Sequence, residues 1–365
     1  MRIHISLVGE QLAPIYAGIQ YSDPEEVYLV CSTSTMPKAQ RLQSLLSDKT
    51  VHIIPFDATD LVKIYSSLEL LSSRFSLDDI LSINLVGGTK HWAISFFDYF
   101  SKREGTTFFL GNQDNQIWDL SSRTWEKVSI PMEMQFKLQG QMPDSYMDFR
   151  EYTLEDDIVS TQAEQIWMNP KYKRAFTTLT SNIKDNKVPD GFSFDSNGTD
   201  FVVFHTPDGK SVEFRSPHAD KLVRNTSWFE YKVARLLCKW ADAKTIWCNC
   251  VFRFDIVIKD KSGKVMRTPQ DMNEIDIVVY NGSKLLFVEC KTFIHNLTDI
   301  DKFKSVVRNY GGLASKPVFI TWYEPAPDKR KKLKLNDTPY IALSKVDEET
   351  LYEKLDEILE GNSSR

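Results

Sequence analysis

Short apolar runs alternate with amphipathic segments from Met1 to about Ile130. Strands are predicted at Arg2–Val8, Glu26–Cys31, Val51–Phe56, Leu81–Val86 and Thr107–Leu110, with helices at Gln11–Gln20, Pro37–Leu46, Asp60–Arg74 and Thr89–Lys102. That βαβα order predicts a doubly wound, largely parallel sheet. From about Gly111 to Ser216 the pattern weakens. It leaves β-like pieces at Gln116–Leu120, Thr124–Ser129 and Glu133–Leu138, helical ones at Thr161–Met168 and Tyr172–Ile183, and a hairpin around Pro207-Asp208-Gly209. Trp228–Trp240 then reads as an amphipathic helix with Ser227 as N-cap. After it come a long strand run, Thr245–Lys259, a hairpin turning at Asn281-Gly282, a helix at Asp299–Tyr310 and the apolar strand Val318–Tyr323.

Length changes this picture by requiring more than one core, since 365 residues exceed a comfortable single domain. The pattern divides into an N-terminal α/β domain at 1–140, a connector at 141–216 and a second α/β domain at 217–365. A net charge of −5 gives no global electrostatic footprint for nucleic acid, so such contact requires a local patch. Lys329-Arg330-Lys331-Lys332 is one, read equally as a solvated loop or as a track for a phosphate backbone. The five cysteines are odd in number and lie mostly in apolar runs, which points to a reduced, cytoplasmic protein. No long apolar run is present and the N-terminus enters a strand directly, so neither membrane span nor secretory signal is expected.

Three predicted strand ends carry candidate binding loops: Gly9-Glu10-Gln11, Ser32-Thr33-Ser34 and Gly87-Gly88-Thr89-Lys90. Glycines let a backbone approach a phosphate, helix N-termini favour anions, and Lys90 and the hydroxyls add charge and donors. A phosphorylated ligand is expected there. Taken alone each loop reads more readily as an ordinary turn, and neither GxGxxG nor GxxxxGK[ST] is present; it is the three together at one sheet edge that point to binding.

The second site lies in the hairpin Glu274–Thr292. With Asn281-Gly282 as a two-residue turn, Tyr280 faces Ser283, Glu274 faces Glu289, Asp276 faces Phe287 and Lys291 faces Met272. Alternation puts Glu274, Asp276, Glu289 and Lys291 on one face and Ile275, Ile277, Val279, Leu286, Val288 and Cys290 on the other. Facing carboxylates repel, and a hard divalent cation turns that repulsion into coordination. The bland reading is a solvated face with Glu289 paired to Lys291. Cys248-x-Cys250 reads as core packing, and His218 and His295 as surface residues.

The order helix, three strands, helix, strand resembles the PD-(D/E)xK nuclease core, with Asp276 and Glu289-Cys290-Lys291 as its motif and Glu230 as the first-helix acid. That resemblance implies catalytic roles for Glu230, Asp276, Glu289 and Lys291. It also implies magnesium or manganese held by Glu230, Asp276, Glu289 and the Cys290 backbone carbonyl, with Glu274 in support. Joined to a Rossmann-like N-terminal sheet, the chain resembles the CARF-domain effector nucleases of type III CRISPR systems. The implied protein is a homodimer that binds a cyclic oligoadenylate, expected to be cyclic tetra-adenylate, through Gly9, Glu10, Gln11, Ser32, Thr33, Ser34, Gly87, Gly88, Thr89 and Lys90. It then cleaves DNA, RNA or both in antiviral defence. The rival readings are a PD-(D/E)xK DNA nuclease without a small-molecule switch and a regulator that only binds nucleic acid.

Overall fold

The computed structural model describes residues 1–112, 114–180, 190–259, 265–312 and 315–361, with side chains at all of these except 254–259 and 265–272. Two compact units emerge: Met1–Met142, which takes in Gly282–Lys284, and the chain from Pro143 onward without those three residues.

The first unit runs β1 (Arg2–Leu7), α1 (Ala13–Ser22), β2 (Glu26–Cys31), α2 (Met36–Leu45), β3 (Thr50–Pro55), α3 (Leu61–Ser72), β4 (Ile80–Asn84), α4 (Lys90–Phe100), β5 (Thr106–Gly111), β6 (Gln116–Asp119), β7 (Thr124–Lys127) and α5 (Met132–Gln139). Its seven-stranded sheet has the order β3-β2-β1-β4-β5-β6-β7. β1 to β5 are parallel, and β6 and β7 extend the edge antiparallel. Helices cover both faces, so the parallel strands are largely apolar, and the buried polar residues His4, Ser6, Ser82 and Asn84 are hydrogen-bonded. Ile3, Ile5 and Leu7 pack with Ile64, Leu68, Trp92 and Phe96 of α3 and α4, while Val27, Leu29 and Cys31 pack with Ile15, Ile19, Ala39 and Leu42 of α1 and α2. Strand order reverses between β1 and β4, and the crevice outside the carboxyl ends at such a switch point is where open α/β sheets bind ligands.

The second unit runs β8 (Ser145–Asp148), α6 (Leu154–Met168), α7 (Pro170–Thr180), β9 (Ser193–Ser196), β10 (Phe201–His205), β11 (Ser211–Arg215), α8 (Ala219–Val223), α9 (Ser227–Lys239), β12 (Thr245–Lys259), β13 (Val265–Tyr280), β14 (Leu285–Lys291), α10 (Leu297–Gly311), β15 (Lys316–Thr321), α11 (Pro327–Leu335), β16 (Tyr340–Ala342) and α12 (Glu348–Glu360). A six-stranded sheet has the order β16-β15-β14-β13-β12-β8, and β11-β10-β9 form a separate three-stranded one. β12 to β14 are antiparallel, whereas β14 to β16 are parallel. One face of the larger sheet, including Ile277, Val279, Leu286, Val288 and Cys290, shares a core with Val233, Ala234 and Leu237 of α9. Towards α10, Tyr310 stacks on Phe252 with ring centroids 4.3 Å apart and Phe303 meets Phe319 edge-on at 5.0 Å.

Four local expectations change. Glu133–Leu138 is helical within α5, because Pro131 starts the helix and Gly140, at φ 85°, ends it, with Met132 and Phe136 buried one turn apart. Ser227 is the first residue of α9, not its cap; Thr226 precedes it in left-handed geometry. The basic run is no loop: Lys329–Lys332 lies on α11, with Lys329 paired to Asp328 and Lys332 to Asp301. The predicted helix at Tyr172–Ile183 corresponds to α7, its end lying outside the described residues.

The fourth change concerns the hairpin. Tyr280 pairs with Leu285 and Ile277 with Val288, so the connection is Asn281 to Lys284 rather than two residues. A two-residue type I′ turn needs positive φ at both central residues. Gly282 has it, at 98°, but Asn281 does not. A displacement of two leaves every side chain on its predicted face and changes only its partner. Carried on along the strands, this register sets Asp276 level with Glu289 rather than Phe287, and Glu274 level with Lys291 rather than Glu289; the Met272–Lys291 pairing goes with it.

Ile277 adjoins Asp276 and is fully buried. Ile277→Ala is expected to lower unfolding free energy by about 2–5 kcal/mol, measured by denaturant titration, with the second unit's transition moving to lower denaturant.

Candidate active site and ligand crevice

In the first unit, backbone proximity is the dominant feature of the crevice. A Cβ on Gly9 would lie 2.9 Å from Gly87 Cα and Gly88 N, and one on Gly87, at φ +94°, would lie 2.3 Å from the Leu7 carbonyl oxygen. The β1 and β4 loops therefore meet main chain to main chain, which only glycines permit. Thr89 caps α4, its hydroxyl accepting from Trp92 N at 3.3 Å and donating to the Ala58 carbonyl at 3.0 Å. Lys90 follows, exposed on the first turn. In the β2 loop, Ser32 Oγ lies 2.9 Å from Ser34 Oγ, and Ser32 N donates to Thr35 Oγ1 at 3.0 Å, while Thr33 is exposed. Glu10 is exposed and ion-paired with Lys38, whose Nζ also donates to the Glu10 carbonyl at 3.0 Å. Gln11 is half-buried beside it. Lys38, one turn into α2, escaped sequence reading because nothing marks it apart from its place after the hydroxyl run.

In the second unit, Asp276, Glu289 and Lys291 converge. Lys291 Nζ lies 2.8 Å from Glu289 Oε1 and 3.8 Å from Asp276 Oδ2. Asp276 Oδ2 also accepts from Cys290 N at 2.7 Å, which fixes the carboxylate to the neighbouring strand. The Cys290 side chain itself lies in the core, where burial pushes its thiol well up. Burial and the Asp276 charge raise Glu289 to about 8 despite Lys291. Burial alone would lower the Lys291 ammonium, but Asp276 and Glu289 carry it above its ordinary value. Glu230 belongs to the same electrostatic cluster: burial, then Asp276, raise its carboxyl well above the usual range while Lys291 opposes.

A cleft of about 190 Å³ opens beside these groups, lined by Glu274, Glu289 and Lys291 and, from α10, Asp299, Lys302 and Phe303. Asp299 and Lys302 were not singled out from sequence; their one-turn spacing on the helix after the Glu-Cys-Lys strand is the signal that marks them. His218 proves to be more than a surface residue, its Nδ1 lying 3.0 Å from the buried Asp156 carboxylate in a structural pair.

The donors suit a hard divalent cation in kind, being carboxylate oxygens, and burial followed by the Asp276 charge raises Glu230 and Glu289. In the arrangement described, the Lys291 ammonium supplies the positive charge, and among the described residues no three His, Cys, Asp or Glu converge closely enough to hold a metal ion.

Residues 3–139 match the family described as the Card1 CARF domain, and the parallel-rich Rossmann-like sheet of the first unit matches the CARF fold. Over nearly the whole chain the fold resembles that of Can2 from Sulfobacillus thermosulfidooxidans, solved in complex with cyclic tetra-adenylate (TM-score 0.67, 17% identity, covering 98% of this chain and 99% of that one). It also resembles protein VC1899 from Vibrio cholerae (TM-score 0.71, 14% identity, 97% of each chain). A type III CRISPR defence DNA nuclease activated by cyclic oligoadenylate is similar over 89% of this chain and 46% of its own (TM-score 0.50, 18% identity). No curated protein matches in sequence. No helix among the described residues is long and apolar enough to cross a membrane.

The raised Glu289 carboxyl sets a pH dependence. A folded-state value of about 8 against an ordinary 4.5 contributes stability that is complete below 4.5 and lost as pH rises through 8. In chelator-treated protein the melting temperature is expected to fall across that window, and Glu289→Gln to flatten the fall; an unchanged slope in the variant would contradict the assignment.

Proposed function

We propose that the chain is a metal-dependent nuclease switched on by a cyclic oligoadenylate, cyclic tetra-adenylate being the expected ring, and that it cleaves phosphodiester bonds of DNA, RNA or both in type III CRISPR antiviral defence. One observation carries the nuclease reading: Asp276, Glu289 and Lys291 converge on neighbouring strands, with Lys291 within 3.8 Å of both carboxylates. The order α9, β12, β13, β14, α10, β15 supports reading these strands as a PD-(D/E)xK core. Magnesium or manganese held by Asp276, Glu289, Glu230 and the Cys290 carbonyl would supply Lewis acidity to a phosphodiester. Lys291, kept charged by its acidic neighbours, neutralises negative charge developing on the phosphate. Glu274 supports the pair from the cleft rim.

The sensing reading rests on the crevice at the β1/β4 switch point and on the likeness to Can2, whose structure contains cyclic tetra-adenylate. Gly88, exposed beside the buried Gly9 and half-buried Gly87, would bring a ligand close to the backbone; Glu10, Gln11, Ser32, Thr33, Ser34, Thr89 and Lys90 would surround it. A two-fold ring suits a homodimer. Val62 on α3 and Ile94 and Phe97 on α4 are 77%, 69% and 46% exposed, an apolar surface that a second copy would cover. The ligand activates by binding the cleavage-competent arrangement more tightly than the resting one. Five free cysteines, four of them buried, accord with action in a reduced cytoplasm.

With cyclic tetra-adenylate and manganese supplied, Glu289→Ala is expected to lose cleavage by about a hundredfold or more while binding the ring as the unmodified chain does. Lys90→Ala is expected to lose ring affinity, and with it cleavage at limiting ring concentration, while regaining cleavage when the ring is saturating. Ring binding by calorimetry and cleavage of labelled DNA and RNA read the two effects separately. Full cleavage by the Glu289 variant would overturn the site.

A further inference from the structure

Past the carboxyl ends of β14 and β15 the two strands continue side by side as aromatic segments. Lys291 and Thr321 are partners in register, Trp322 N donates to the Lys291 carbonyl at 3.1 Å, and Tyr323 N lies 3.4 Å from the Thr292 carbonyl. Phe293, two residues beyond Lys291, stacks on Tyr323 with centroids 4.7 Å apart and planes inclined by 22°, and it is 43% exposed. Behind this pair lie Trp322, Trp167 and Trp228. Ordinary core packing accounts for the two buried tryptophans, but not for a stacked ring left open to solvent beside a charged cleft.

A cation completes the surface. Lys173 of α7 places its Nζ 3.6 Å from the Trp167 ring centroid, 5.1 Å from that of Tyr323 and 5.7 Å from that of Phe293. It lies 3.4 Å from Tyr323 Oη, and among the described residues it has no carboxylate partner within ion-pair distance. By contrast Lys232, over Trp322, is neutralised by Glu164 at 2.6 Å. Thr321 Oγ1, on the residue opposite Lys291, is fully buried and has no hydrogen-bond partner among the described residues.

A flat exposed ring with an uncompensated ammonium beside it is the chemistry that takes a nucleobase and its phosphate. We propose that Phe293 and Tyr323 form a stacking platform for an unpaired base next to the scissile bond, with Lys173 holding a flanking phosphate, so that the site selects single-stranded nucleic acid or locally opened duplex. A base inside a duplex already stacks on its neighbours and must be flipped out to reach such a ring, which costs a few kcal/mol. This rests on the nuclease reading for the position of the scissile bond.

The test is equilibrium binding by fluorescence anisotropy, using the full chain with cyclic tetra-adenylate present and divalent metal chelated, so that nothing is cut. The probes are a single-stranded DNA, a single-stranded RNA of the same sequence and the corresponding DNA duplex. Phe293→Ala is expected to weaken binding of the single strands about tenfold, leave the duplex within about twofold, and be rescued by Phe293→Trp. Lys173→Met is expected to lower the slope of log affinity against log salt by about 0.7 on single strands, the value for one lost phosphate contact. Unchanged single-strand binding by Phe293→Ala, or an equal loss on duplex, overturns the platform. If the unmodified chain cleaves yet shows no Phe293 dependence, the platform fails and the nuclease reading stands; Phe293-dependent binding without cleavage at restored metal supports the platform and removes the nuclease reading.

Discussion

Two carboxylates and one ammonium confined to a single face of β13 and β14 set the terms for the second unit. Antiparallel strands place directly opposed side chains about 5 Å apart whatever their charge. The opposite face, with Ile277, Leu286, Val288 and Cys290 in a shared core with α9, prevents the strands from sliding to relieve the repulsion. At such spacing and an effective dielectric near 20, two unit charges interact by several kcal/mol. The protein meets this by keeping Lys291 charged, by tying Asp276 to the Cys290 amide and by holding Glu289 partly protonated near neutral pH. A group of this kind contributes little to stability that an apolar pair would not. Its presence is easier to explain by chemistry than by folding.

The first unit relies on a different constraint, close approach of backbone at the β1/β4 switch point. Gly9, Gly87 and Gly88 bring two loops to contact distances that a side chain would block, and α4 starts immediately after them with Thr89 as its cap. The exposed Gly88, a helix N-terminus and the exposed Lys90 make that corner receptive to an anion. Residues 3–139 match the Card1 CARF domain, and the chain shares its fold with Can2; the sensing role proposed above is placed at this corner.

Much of this was legible in the sequence, for identifiable reasons. Period-two alternation in Glu274–Lys291 determines which residues share a face, and the four-residue connection leaves that unchanged. The alternation from Arg2 to Gly111 gave the parallel sheet because buried strands leave nearly continuous apolar runs. Hairpin register was not legible, since it depends on whether Asn281 adopts a positive φ, and it does not. Glu133–Leu138 misled because alternation over a short stretch does not separate a strand from a single helical turn and a half. Lys38, Asp299, Lys302 and the Phe293–Tyr323 stack depend on tertiary placement of unremarkable residue types, so no local pattern announces them.

In the proposed activation, a ring bound by the first unit licenses phosphodiester cleavage by the second. Its most direct test is a time course of cleavage of single-stranded DNA, single-stranded RNA and plasmid by the unmodified chain, with cyclic tetra-adenylate and manganese each present or absent. The account predicts cleavage of at least one substrate only when both are supplied. Equal cleavage without the ring, or none with both present, would contradict it.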